Sequence, residues 1–210
     1  MQPPIRRLDT KQKRRLIKAG NTRKKTVPLK NTTTKYGAIT KWFHWIIFML
    51  FFGQYTTATI MNWMDPGTTL FGVGNSGWVA WHKSFGLLIL GIVLLRIIWR
   101  KTTRLPDWAN GLSAWEKVTI HFVENGLYAV MILMPLTGLL MSAAGGHPTP
   151  FFHLFSIPGF SHPNSVLSTI AWFMHISISY VIVALLAIHV GLAARREIFE
   201  KDGYIKRMLP

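Results

Sequence analysis

The sequence predicts an all-α fold, an integral membrane bundle of four helices, and three observations carry that expectation. Half of the 210 residues are hydrophobic, yet the formal net charge is +16. The charge is segregated: residues 1–41 hold 13 of the 24 Lys and Arg against one acid, a net +12, which leaves +4 for the remainder. Four apolar stretches of about 20 residues then follow, the length that crosses a hydrocarbon core of about 30 Å.

Residues 1–35 are polar and basic, with Arg6-Arg7 and Arg14-Arg15 pairs and no sustained apolar period. They read as a disordered cytoplasmic arm that sets topology and touches anionic headgroups of the membrane lipid. An Arg-rich, acid-poor arm also has the composition of a transit peptide. A cleaved secretory signal does not fit, because the first apolar run starts late and is long. The arm has neither the aromatic pattern nor the folded platform of a nucleic-acid binder, so no nucleic-acid partner is expected.

The remainder, 36–210, reads as one transmembrane domain with helices at about 42–63, 78–99, 120–143 and 170–194. Trp residues mark many of the ends, where aromatic belts form. The third stretch contains Pro135 and Gly138, which kink a helix and which neighbouring helices tolerate. The loops set the orientation. The arm is basic, the loop after the second helix holds Arg100, Lys101, Arg104 and Lys117, and the last segment holds Arg195, Arg196, Lys201, Lys206 and Arg207. The loop 65–77 has no Lys or Arg, and 145–169 has no charged residue. Positive residues stay inside, so both termini are expected in the cytoplasm.

Of eight His residues, His147, His153 and His162 fall in the outer loop, where a solvated role is the simpler reading. His44, His82, His121, His175 and His189 lie in or beside apolar helices, where ionisable groups are costly and mark function. Helix direction sorts four of them by depth. His44 starts the first helix and His189 is near the end of the fourth, on the cytoplasmic side. His82 and His175 both belong to outer first turns. His175 and His189 are 14 residues apart, nearly four turns, so they share a face about 21 Å apart along the axis.

The pattern suits two stacked ligand planes, with packing histidines as the alternative. The absence of cysteine removes iron–sulfur ligation, thiolate ligands and Cys-based zinc sites. Zinc requires about four ligands, and neither level offers them. Haem iron requires two axial ligands, and bis-His ligation favours electron transfer over oxygen chemistry. Gly53 and Gly86 would let a flat macrocycle approach, or serve ordinary helix packing.

At these residues the sequence resembles the bacterial cytochrome b561 family, over about 35–210. The resemblance rests on an ordered set of motifs. These are Lys35-Tyr36 followed by Lys41-Trp42-Phe43-His44-Trp45, then Trp81-His82 with Gly86, then Leu127-Tyr128 with Pro135 and Gly138. The His175 to His189 spacing and the closing Lys201-Asp202-Gly203-Tyr204-Ile205-Lys206-Arg207-Met208 complete it. The resemblance implies a bundle enclosing two haem b groups in the bacterial inner membrane. His44 and His189 would ligate the inner haem iron, and His82 and His175 the outer one. It also implies electron transfer from the outer face to quinone. Family members include a superoxide oxidase that passes electrons from superoxide to ubiquinone. Related chains are cytochrome b anchor subunits of larger complexes such as hydrogenases, which would add a partner oxidoreductase subunit and a periplasmic donor.

Two departures stand out. Glu124 occupies a place on the third helix where relatives often carry His, and Arg195 and Arg196 follow the last ligand where relatives have His. Glu124, Arg195 and Arg196 are therefore candidates for the quinone region, with anchoring of the helix ends as the alternative. Lys83, directly after His82 on a face poor in cations, is a candidate for steering superoxide. A partner for a haem propionate, or a snorkelling side chain, is the alternative.

Overall fold

The computed structural model describes residues 9–10, 28–108, 111–201, 203 and 205–209. Most of the expected arm lies outside the described residues. Four long helices form the body: α1 (Ala38–Trp63), α2 (Asn75–Thr102), α3 (Ala114–Ala144) and α4 (Ser165–Arg195). Two small antiparallel hairpins lie in the connections where the sequence reading placed only loops. The first is β1 (Thr69–Leu70) with β2 (Val73–Gly74), and the second is β3 (Thr149–Phe151) with β4 (Phe155–Ile157). Both hairpins are at one end of the bundle, the hairpin end. The opposite end carries the described residues nearest the termini and is called the terminal end.

Local chemistry starts the helices. Asn31 Oδ1 accepts from the Gly37 amide at 2.9 Å and from the Thr40 hydroxyl at 2.7 Å, which closes the chain onto the first turn of α1. Ser113 and Glu116 form a reciprocal capping box on α3. Asn164 Oδ1 caps α4 by accepting from Leu167 N at 2.9 Å. Pro135 sits within α3 without ending it.

The helices α2 and α3, and α4 with the turn that extends it to Glu200, are each long and apolar enough to cross a membrane. α1 is diluted by Gln54, Tyr55, Thr56, Thr57 and Thr59. Its 26 residues nevertheless span about 39 Å. It also matches α2 in depth: Trp99 Nε1 donates to Thr40 Oγ1 at 2.9 Å at the terminal end, and Asn75 Nδ2 to Met61 O at 2.7 Å at the hairpin end. Its polar residues are satisfied inward, Gln54 Nε2 on His82 O at 3.1 Å and Tyr55 OH on Ser179 O at 2.8 Å. Thr56 and Thr59 are exposed, and their hydroxyls donate to the Phe52 and Tyr55 carbonyls one turn back, so no side-chain donor there is left bare to lipid.

α1 packs on α2, α2 on α3, and α3 on α4. Ile47, Ile89, Val93 and Met131 form one buried cluster, and Val123, Val130, Ile182 and Leu185 another. Much of α4 presents apolar side chains outward, among them Val181, Val183, Ile188 and Val190.

Candidate functional site: two histidine pairs

The structure brings the four membrane-depth histidines together in two pairs. At the hairpin end, the rings of His82 and His175 have centroids 6.3 Å apart and planes at 77°. At the terminal end, His44 and His189 are 6.1 Å apart with planes at 42°. His121 belongs to neither pair and packs edge-on against Trp108 at 4.9 Å.

Neighbours aim the hairpin-end rings. His175 Nδ1 is 2.9 Å from Met134 O, a group that only accepts, so Nδ1 carries the hydrogen and Nε2 the free lone pair. Thr57 Oγ1 donates to Gln54 O at 3.0 Å, so its oxygen is left to accept from His82 Nδ1 at 3.1 Å. Both imidazoles are therefore held as the tautomer that offers Nε2, the arrangement by which metal-binding histidines are oriented. Gly138 makes room for His175: a Cβ there would stand 2.9 Å from the ring Cε1. Among the described residues His44 and His189 make no such hydrogen bonds, and their placement comes from the helices that carry them.

A metal between two imidazoles needs about 2 Å on each side, which sets ring centroids about 6 Å apart once the ring radii are added. Both pairs meet that separation. Among the described residues no three His, Cys, Asp or Glu side chains gather as a metal-ion set. A two-imidazole site is complete only for a metal that brings its own equatorial ligands, as haem does. Trp78 Nε1, one turn before His82 on α2, is a buried donor with no hydrogen-bond partner in the described residues. Such a donor fits a site built to hold a further group. Gly53 has open space where its Cβ would be, whereas at Gly86 a Cβ would lie 3.1 Å from Gln54 Nε2, so Gly86 serves the α1–α2 contact.

The other candidates fall in three places. Lys83 Nζ donates to Ser142 Oγ at 2.7 Å and to Pro148 O at 2.9 Å, tethering α2 to the second hairpin loop. It lines an open cleft of about 400 Å³ with Ser142, His147, Ser168 and Trp172. Glu124 takes both guanidinium nitrogens of Arg100 in a bidentate pair. These two line a small cavity with Tyr36, Arg96, Tyr128 and Met208 at the terminal end. Arg195 and Arg196 are elsewhere: both reach Glu116 Oε1, at 2.8 and 3.3 Å, and both pair with Glu200. The structure thus separates Glu124 from the two arginines that the sequence reading grouped with it.

Arg96 escaped the sequence reading. Its Nε donates to Tyr128 OH at 3.0 Å, and the Trp99–Thr40 hydrogen bond one turn on sets it at the depth of His44. The signal was available: Arg96 follows His82 by 14 residues, the interval that separates His175 from His189.

A family model described as prokaryotic cytochrome b561 matches residues 35–210. The chain is similar to cytochrome b561 homolog 2 of Escherichia coli (strain K12), with 26% identity over 186 residues covering 85% of this chain and 93% of the relative. It is also similar to cytochrome b561 homolog 1 of the same organism, with 22% identity over 167 residues covering 80% and 92%.

Proposed function

The chain belongs to the prokaryotic cytochrome b561 family, a haem b membrane cytochrome of electron transfer, and from that premise we propose that it is a di-haem superoxide:ubiquinone oxidoreductase. The observation that carries the reading is the pairing of His44 with His189 and of His82 with His175 at metal-bridging separation. Each pair would hold one haem b, whose iron supplies one-electron transfer. Residues 36–210 would be the cytochrome domain and 1–35 a cytoplasmic arm.

In this reading both termini face the cytoplasm of a bacterial inner membrane, as the basic terminal end and the uncharged stretch 145–169 favour. The Lys83 cleft then opens outward beside His82. Two superoxide anions each lose one electron there and leave as dioxygen. Ubiquinone gains the two electrons and two protons and becomes quinol. Glu124, held by Arg100 in the cavity shared with Tyr128, is the carboxylate placed to pass protons at that end. Arg195 and Arg196 are engaged with Glu116 and Glu200 and frame the same end of the bundle.

A second reading is an anchor subunit of a larger oxidoreductase. The exposed apolar tips of the hairpins favour it, Phe71 at 87% and Leu154 at 77% exposure in loops without Lys or Arg. A partner subunit at the outer face would cover them and deliver electrons in place of superoxide.

One preparation separates these readings. Purified protein is expected to contain two b haems per chain by pyridine haemochrome, falling to about one in His44→Ala or His82→Ala. It is expected to reduce ubiquinone analogue with superoxide unaided, more slowly in Lys83→Ala at low salt, with the difference shrinking as salt screens the field. A two-haem protein inert towards superoxide that co-purifies with another oxidoreductase would support the anchor reading. A colourless protein after expression with ample haem would overturn both.

A further inference from the structure

We propose that Arg96 is a positioning residue of the electron path, a fixed positive charge that makes the His44–His189 end of the bundle the electron's resting place. The proposal rests on the di-haem reading above and goes beyond it by assigning a residue to the direction of transfer.

The placement comes first. Arg96 follows His82 on α2 by 14 residues, nearly four turns, which puts it on the same helical face about 21 Å deeper. That is the depth of the second histidine pair, because α4 uses the same interval between His175 and His189. The guanidinium is held there by Tyr128, whose hydroxyl accepts from Nε at 3.0 Å and whose ring centre is 5.4 Å from Cζ. Trp99, three residues further on, donates to Thr40, four residues before His44, so Arg96 and His44 stand at one depth on neighbouring helices.

The charge inventory comes second. Arg100, one turn further on, is neutralised by its bidentate pair with Glu124. No carboxylate among the described residues forms an ion pair with Arg96. At the other pair the immediate partners are neutral: the Thr57 and Thr137 hydroxyls, the Gln54 amide on the His82 carbonyl, and the Met134 carbonyl. Lys83 is nearby in sequence, but its ammonium is turned to Ser142 and the Pro148 carbonyl at an open cleft. Glu124 shares the small cavity with Arg96 but is held by Arg100, so beside the His44–His189 pair stand two cations and one carboxylate, a net charge of one that the neutral partners of the other pair do not match.

A lone cation at membrane depth is costly to keep unless something negative comes to it. Reduction of ferric to ferrous iron lowers the charge of a site by one, so a neighbouring guanidinium favours the reduced form, and more strongly in a low dielectric than in water. With haem held by both pairs, an electron passing from the His82–His175 site, which would be oxidised, to the His44–His189 site, which would be reduced, would move towards Arg96. In the proposed orientation it also moves towards the negative side of an energised membrane. Arg96 offsets that opposing field.

The test is a potentiometric titration of the purified holoprotein, with His44→Ala used to identify which midpoint belongs to the His82–His175 haem. Arg96→Gln is expected to lower the other midpoint by at least a tenfold change in its oxidised-to-reduced ratio, about 59 mV for one electron. The first midpoint is expected to stay in place. Arg96→Lys, which keeps the charge, and Tyr128→Phe, which removes only the hydrogen bond, are expected to titrate near wild type. An unmoved midpoint in Arg96→Gln overturns the proposal, and so does an equal fall in Arg96→Lys or Tyr128→Phe, since shape and not charge would then matter. If Arg96→Gln loses that haem altogether, Arg96→Lys decides: a retained midpoint supports the proposal and a fallen one overturns it. A wild-type protein with fewer than two haems overturns the di-haem reading itself, a result visible before any midpoint is compared.

Discussion

At the scale of single residues, the hairpin-end pair is held by groups that cost nothing in charge. A membrane interior favours neutral imidazole, and Thr57 on His82, with the Met134 carbonyl and Thr137 on His175, supply acceptors to Nδ1, leaving Nε2 for a metal. Gly138 completes this arrangement by being small. A Cβ at 2.9 Å from His175 Cε1 cannot be relieved by a minor rotation, because Met134 holds the same ring from its Nδ1 side. Gly138→Val is therefore expected to push His175 off its line to His82 and to lower haem content from two to about one per chain, leaving the His44–His189 haem. Haemochrome stoichiometry on the variant, beside His82→Ala as reference, checks this. Wild-type haem content in Gly138→Val would mean that α3 and α4 separate more easily than their packing suggests.

Between elements, one carboxylate ties two helices. Glu116 Oε2 accepts from the Ser113 amide and hydroxyl, at 2.9 and 2.7 Å, and so starts α3. Its Oε1 accepts from Arg195 and Arg196 at the end of α4. The π turn Arg196–Glu200 that follows brings Glu200 back to the same two guanidiniums, and the Arg196 side chain is only 3% exposed. Glu116→Gln removes the negative charge shared by the cap and both arginines, whereas Arg195→Ala leaves Glu116 and Arg196 paired. The expected order of melting temperatures is wild type, then Arg195→Ala, then Glu116→Gln, with the last lower by several degrees and measured by loss of helical circular dichroism. Equal melting of the two variants would show that Arg196 contributes nothing through Glu116. This junction also shows where sequence reading stops. Helix length, apolar runs and the 14-residue interval are local properties, so the four helices and their level histidines were legible. Whether Arg195 meets Glu116 or Glu124 depends on how α3 rotates against α4, which apolar patterning alone does not set in lipid-facing helices. The small hairpins went unread for a related reason: Phe71 and Phe152 adopt positive φ, a conformation their side chains do not advertise. Arg96 was legible by its interval and passed over because a basic residue near a helix end reads first as an anchor.

Across the whole molecule, the charge asymmetry that orients the chain also orients the chemistry. Among the described residues every Lys and Arg apart from Lys83 belongs to the terminal half of the bundle, where the residues before α1, the loop after α2 and the residues after α4 lie. There the closing segment folds back on α1: Trp45 Nε1 donates to Met208 O at 2.8 Å, and Arg207 lies over the Tyr36 ring and donates to Asp107 O at 2.9 Å. Positive residues resist translocation, so this end is expected to face the cytoplasm and the hairpin end the outside. The chain has no cysteine, so single introduced thiols report their side without background. Ser156→Cys in β4 and Thr102→Cys at the end of α2 are both exposed positions at opposite ends of the bundle. In intact cells a membrane-impermeant maleimide is expected to label Ser156→Cys and to spare Thr102→Cys until the membrane is opened. The reverse pattern would place the Lys83 cleft in the cytoplasm, where a donor generated outside the cell does not meet it, and an electron drawn towards Arg96 would then run outward.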